Sequence, residues 1–247
     1  MSGLIERPSY LATVENDFDF SELNKIVKPP RLKIIQSQSG APFAPPFTEG
    51  DILVIPQMTK IGDRETPFTF TPLYFFRCWT CMNPIQLKNQ LTALREISFD
   101  ENSEVARKAK NFVEEACPEN PKHTLRYQEV LNFLVMIDNP AVNGLPVALM
   151  FQRGEYKTGQ MLASLIQSRK APPYACRFRA VSGDHSGKGF DWIGLDIDND
   201  PTPFVSEKDF NAFKTIAKEM GELFKARQLE LDLNDSDVPN PGAETKF

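Results

Sequence analysis

The stretch from Glu129 to Ile197 is the most regular part of the chain, and its order of elements limits the fold more than anything else. EVLNFLVMID reads as a strand, NPAVNG as a turn and LPVALMF as a short buried strand. RGEYKTGQMLASLIQSR follows as a helix entered at a glycine, with Met161, Leu162, Leu165 and Ile166 facing inward. APPYACRFRAVS, entered through two prolines, and FDWIGLDI are two more strands, joined by a turn at GDHSGKG. The expected order is strand, strand, helix, strand, strand.

Upstream, RLKIIQSQS forms a strand from Arg31 with Leu32 and Ile34 on one face. APFAPPFTEGD is too proline-rich for a central strand. DILVIPQM and PFTFTPLYFFRCW read as strands, rich in β-branched and aromatic residues. Tyr74, Phe75, Phe76 and Trp79 are too dense to be all exposed, so one side of that strand is core. Residues 88–125 are expected as a surface insertion, with a helix carrying Val105, Ala109 and Phe112 at helical spacing and a break at CPENPKH. A last helix spans residues 206–226, capped by Ser206 with Glu207 and Asp209 in its first turn. Its seam is Phe210, Phe213, Ala217, Met220 and Phe224, packing on the domain or on a partner. Residues 1–27 form an acidic arm, with Phe18 and Phe20 as a docking segment, and residues 228–247 an acidic, disordered tail. The folded domain then spans residues 28–227.

The first twenty residues lack a charged-then-apolar leader, and no run approaches the ~20 apolar residues that cross a bilayer. The expected location is the cytoplasm, which for a viral protein is that of the host. Cys78, Cys81, Cys117 and Cys176 are then thiols or metal ligands rather than disulfides. The net charge of −5 hides an uneven distribution. Phe151–Phe190 carries seven cations against Glu155 and Asp184, whereas Leu229–Phe247 carries five carboxylates against Lys246. A basic groove attracts polyanions, and a tethered acidic tail competes for it.

Gly154-Glu-Tyr-Lys-Thr-Gly159 has the glycine spacing of a phosphate-binding loop between strand and helix. Gln160 and Met161 stand where that loop needs Lys and a hydroxyl, so nucleotide hydrolysis is rejected. What survives is a helix entry where Arg153 and Lys157 hold a backbone phosphate. Gly183–Gly189 has the wrong spacing and reads as a hairpin tip carrying Lys188. Cys78 and Cys81 have the gap of a zinc knuckle, which Cys117 and His123 would complete, but the second pair is five residues apart. Unrelated buried thiols are the favoured account, and no cofactor is expected. His123 and His185 lie in apparent loops without a nucleophile motif. Asp191 reads as a solvated face and Asp196–Asp200 as an exit turn, so catalysis is not expected.

A positive groove with aromatic platforms holds single-stranded nucleic acid. Tyr174, Phe178 and Trp192 flank the basic turn, and Arg177 and Arg179 share a face opposite Cys176 and Phe178. Phe178 and Trp192 lean to the core, while Tyr174, Arg177 and Arg179 are expected at the surface.

The element order resembles the OB-fold, a five-stranded Greek-key barrel with a helix between its third and fourth strands. PPRLKIIQSQS with FTEGDI, LPVALMF with RGEYKTGQMLASLI, YACRFRAVSG with KGFDWIGLDI, and the closing LDLNDSDVPNPGAETKF together resemble phage-type single-stranded DNA-binding proteins. The likeness covers roughly residues 30–240 in outline and rests on architecture rather than an invariant signature. It implies an α+β, mainly β fold: an OB-like barrel with a helical insertion and a C-terminal helix. It also implies a non-enzymatic protein that coats single-stranded DNA in phage replication or recombination. Arg153, Lys157, Arg177, Arg179 and Lys188 would contact phosphates, and Tyr174, Trp192 or Trp79 would stack on bases. The tail, with Asp232, Asp235, Asp237 and Phe247, would recruit replication and recombination proteins. It departs from the family pattern because its acidic residues are not contiguous and Lys246 precedes Phe247. A phage assembly protein acting through protein contacts and a metal-dependent nucleic-acid enzyme are the alternatives; no membrane partner is expected, and a homodimer stays open.

Overall fold

A computed structural model describes residues 28–37, 39, 46–87, 90–142, 144–187 and 190–226. The strands are β1 (Arg31–Ile34), β2 (Ile52–Ile55), β3 (Thr59–Gly62), β4 (Phe68–Met82), β5 (Leu94–Ser98), β6 (Glu115–Cys117), β7 (Asn120–Ile137), β8 (Val147–Phe151), β9 (Cys176–Gly187) and β10 (Phe190–Phe204). The helices are α1 (Glu104–Lys110), α2 (Tyr156–Ser168) and α3 (Glu207–Lys225). The fold is α+β and mainly β. None of the described helices is long and apolar enough to cross a membrane.

The long antiparallel pair β4–β7 is the spine, in register from Phe70 opposite Ile137 to Met82 opposite Arg126. Around it the strands follow the order β10-β9-β4-β7-β8-β1-β2-β3, with β5 beside β4 and β6 beside β7. The sheet is mixed, because β1 runs parallel to β8 while the other pairs are antiparallel. The expected strand, strand, helix, strand, strand run is present as β7, β8, α2, β9 and β10. The pairing differs from a closed five-stranded barrel: eight strands form an open path, and β5 and β6 lie off it. The path still curls. Ile61 of β3 and Leu195 of β10, from its two ends, share one core with Phe70, Phe133, Phe151 and Phe178, and Ser182 N of β9 donates to Asp63 O just past β3 at 3.3 Å. Leu162 of α2 plugs this core, fully buried. Met161, expected inside, is exposed instead, being one position off the stripe that meets the sheet.

A bulge in β4 gives the spine two buried faces. Leu73 is skipped between Pro72, opposite Val135, and Tyr74, opposite Leu134. Even-numbered residues therefore change sides: Phe68 and Phe70 face the main core, while Tyr74 and Phe76 face the opposite surface. There α3 lies across the sheet. Ser206 caps it, its Oγ accepting from Asp209 N at 3.1 Å. Phe213, Ala217, Met220 and Phe224 cover Leu73, Tyr74, Phe76 and Met136, so this seam packs on the domain itself.

Between β4 and β7 the insertion adds two strands to the expected helix and prolongs the spine into an arm. Trp79, Cys81, Val105, Ala106, Cys117 and Leu125 make its separate small core. Ser103 caps α1, which stops at Lys110. Phe112 consequently leaves the helical stripe, takes φ +50° and stands 89% exposed. Two further expectations change. The turn at Gly183–Gly189 shrinks, because β9 continues to Gly187, and Asp196–Asp200 lie within β10 rather than in an exit turn.

Leu162→Ala should cost about 2–5 kcal/mol in urea unfolding, whereas Met161→Ala should stay within about 0.5 kcal/mol; equal losses at the two positions would contradict this orientation of α2.

Candidate binding cleft at the sheet seam

Between Ile193 and Leu195 the outer edge of β10 meets side chains rather than a strand. Gln36, just beyond β1, donates Nε2 to Ile193 O at 2.8 Å, and its Oε1 accepts from Ile193 N at 2.9 Å. Glu155, at the entry to α2, accepts from Leu195 N at 3.0 Å. Side chains span a wider gap than a backbone ladder, so the seam stays open. It holds a cleft of about 330 Å³ whose ionisable lining is Arg31, Lys33, Arg153 and Glu155. Among the described residues three cations thus face one carboxylate, and that carboxylate already accepts a backbone hydrogen bond.

Glu155 Oε1 also accepts from Trp192 Nε1 at 2.6 Å, fixing a half-buried indole at the cleft wall. Gly154 makes room for it: a Cβ there would lie 2.6 Å from two atoms of the Trp192 ring. The glycine of the rejected phosphate loop therefore serves close packing, and the left-handed backbone falls on Arg153, at φ +54°. Arg153 Nε donates to Gln128 Oε1 at 3.4 Å, and Gln128 Nε2 to Gln152 Oε1 at 2.6 Å. On the far side of Trp192, His185 lies between two carboxylates, Nδ1 3.2 Å from Glu155 and Nε2 3.1 Å from Asp196. A neighbouring hollow of about 450 Å³ shares Gln36, Trp192 and Ile193, but its charged lining is Glu49, Asp184 and Asp191. Arg64 pairs with two of these, at 2.6 Å from Asp184 and 3.8 Å from Glu49.

The expected contact residues do not form one surface. Arg153 and Trp192 line the cleft, whereas Lys157 is exposed on the first turn of α2 outside the lining. Arg177 lies 3.0 Å from Asp138 and 3.8 Å from Asp200, and Arg179 lies 3.7 Å from Asp198, so their face of β9 is interleaved with acid. Tyr174 is half-buried, its ring 5.4 Å from that of Phe210. Trp79 cannot be a stacking platform: it is 2% exposed under α1, with Arg77 and Lys110 over its ring. Lys188, Asp232, Asp235, Asp237 and Phe247 lie outside the described residues.

The proposed zinc ligands are not gathered. Cys78, beside Asn132 and Val130, is on the face of β4 opposite Cys81, which packs with Cys117 in the arm. Cys117 Sγ meets Glu119 at 3.1 Å instead of joining His123. Among the described residues no group of three or more His, Cys, Asp or Glu could hold a metal ion. Burial pushes the Cys78 thiol up to about 12 and also raises Cys81 and Cys176. Arg31, Lys33, Gln36 and Glu155 were missed as site residues. Strand alternation in RLKI, setting Arg31 and Lys33 against Leu32 and Ile34, was the available signal for the first two.

No protein-family model matches the chain, and neither does any curated protein or solved structure.

Gly154→Ala should displace the indole of Trp192 and change its emission in a Trp79→Phe background, at a cost of about 1–3 kcal/mol; an unaltered spectrum would refute the packing. At about pH 8 a thiol reagent should label Cys78, Cys81 and Cys176 only after denaturant is added.

Proposed function

We propose that this protein binds single-stranded DNA without strong sequence preference, with the seam cleft as its centre. The observation that carries the reading is the lining itself: three cations, one engaged carboxylate and a pinned indole in one groove. Phosphates of a single strand pair with Arg31, Lys33 and Arg153 at the walls, while Trp192 offers its ring to a base. Lys157, in the first turn of α2, lies close in sequence to Arg153 and extends the positive field. The contacts are to backbone and to a ring face, so they carry little sequence information.

An OB-like barrel is part of this proposal. The path β10-β9-β4-β7-β8, with α2 between β8 and β9, has the strand order of that fold except for the last contact. Where β8 would meet β10, β1 lies against β8, and Gln36 and Glu155 reach β10. The barrel is thus read as completed by an extra strand and two side chains, which puts the cleft at its closure. A role in replication or recombination, with the acidic tail recruiting partner proteins, follows from the sequence resemblance and is proposed on that ground.

Binding of oligothymidine should weaken with salt with a log–log slope of about −2, at about 0.7 per phosphate contact and three contacts. Arg153→Ala and Lys33→Ala should each lower affinity by about three- to tenfold. Titration should quench the emission of Trp192 and spare that of buried Trp79. Binding that ignores salt, or no binding at all, would sink the proposal.

A further inference from the structure

The arm carries a cation that the cleft does not use. Leu125 and Tyr127 of β7 pack into the small core under α1, so Thr124, Arg126 and Gln128 point to the opposite face. The residues paired with them across the sheet are Ala116, Met82 and Thr80, and none is acidic. Glu115 sits opposite Leu125 on the α1 side, held by Lys108 and the hydroxyl of Tyr127, both at 2.6 Å. Arg126 is exposed and forms no ion pair among the described residues. Its neighbours on the arm differ: Arg77, Arg95 and Lys108 each pair with glutamates.

This face is continuous with the cleft. Gln128, about 7 Å along the strand from Arg126, joins Gln152 and Arg153 by the hydrogen bonds described above, and both of those residues line the cleft. Lys122 stands exposed four residues before Arg126, where the β6–β7 pairing becomes irregular. Polar and cationic side chains therefore lead out of the cleft along β7, with no carboxylate among Lys122, Thr124, Arg126 and Gln128; Glu114, the residue before β6, forms no ion pair with Arg126.

We infer that a single strand leaving the cleft runs along this face of the arm, over Gln128, and that Arg126 binds one of its phosphates. This rests on the reading that the cleft takes single-stranded DNA, and it adds a second contact that only a longer strand can reach. A guanidinium serves such a contact, since its planar donors meet phosphate oxygens two at a time.

The full-length protein should be titrated at low salt with thymidine oligomers of about 4 and about 16 residues, spanning the range of known OB-fold sites. Arg126→Ala should leave the short oligomer unaffected, weaken the long one by about three- to tenfold and reduce its salt slope by about 0.7. Arg153→Ala should weaken both. An unchanged urea midpoint for Arg126→Ala excludes an unfolding artefact, and Arg126→Glu should exaggerate the length-dependent loss. Equal affinity of Arg126→Ala and wild type for both oligomers would overturn the arm contact and leave the cleft reading intact. Equal weakening on both would place Arg126 inside the first contact and overturn the path. Failure of the wild type to bind either oligomer would remove the cleft reading and this inference together.

Discussion

One unpaired residue in β4 sets what the rest of the molecule can do. Pro72 has no N–H to give to a neighbouring strand, and the register slips at Leu73 directly after it. Before the slip, Phe68 and Phe70 enter the main core; after it, Tyr74 and Phe76 serve the opposite face. Without the slip, alternation would turn Tyr74 and Phe76 inward, and α3 would lose the aromatic floor beneath Phe224. Each fully buried aromatic contributes about 1.5–3 kcal/mol through removal from water. The spine thus holds α2 and α3 on its two faces, and its far half remains free to extend as the arm.

With both faces of the spine covered, the open ground is at the seam, where β1, β8 and β10 converge. A third strand pairing there would close the gap to the ordinary 4.7–4.9 Å between backbones. Gln36 instead presents an amide to Ile193 as a neighbouring peptide group would, one donor and one acceptor, but at the end of a side chain. Glu155 does the same for Leu195 N. At Ile193 and at Leu195 N the edge is satisfied, which blunts it locally against pairing with another chain, and the gap survives as a cleft. Glu155 also fixes Trp192 and faces His185. The contact with the edge of β10 at Leu195 and the orientation of the indole therefore depend on the same carboxylate.

The sequence revealed the order of elements well, because period and turn chemistry are local. EVLNFLVMID, LPVALMF and the helix from Tyr156 all lie where the pattern puts them, and Ser206 caps α3 as its type suggests. Features that depend on a neighbour across space were not legible. The slip at Leu73 shows only in the pairing with β7, so the side taken by each aromatic in PLYFFRCW could not be read from alternation. Phe112 continued the helical spacing of Val105 and Ala109, but the helix ends at Lys110 and the residue turns out to solvent. Gly154 looked like part of a phosphate loop because its actual constraint, the ring of Trp192, lies 38 positions away in sequence.

Charge shows the same limit most sharply. Counted along the chain, Arg177 and Arg179 belong to a basic segment; counted across the sheet, Arg179 sits opposite Asp198 in the β9–β10 pairing. The Arg179 pair is exposed and 3.7 Å apart, a geometry typically worth between zero and about 1 kcal/mol. A phosphate could displace the pairing cheaply, but the carboxylate would remain beside it, and its repulsion would cancel much of the attraction. At the seam the balance differs. Among the described residues Glu155 is the single carboxylate in the lining, and an indole N–H and a backbone N–H direct hydrogen bonds to it. Cations matter to a polyanion by what stands next to them in space, and the acid interleaved along the face of β9 is the reason the proposed phosphate path is drawn at the seam and along β7 instead.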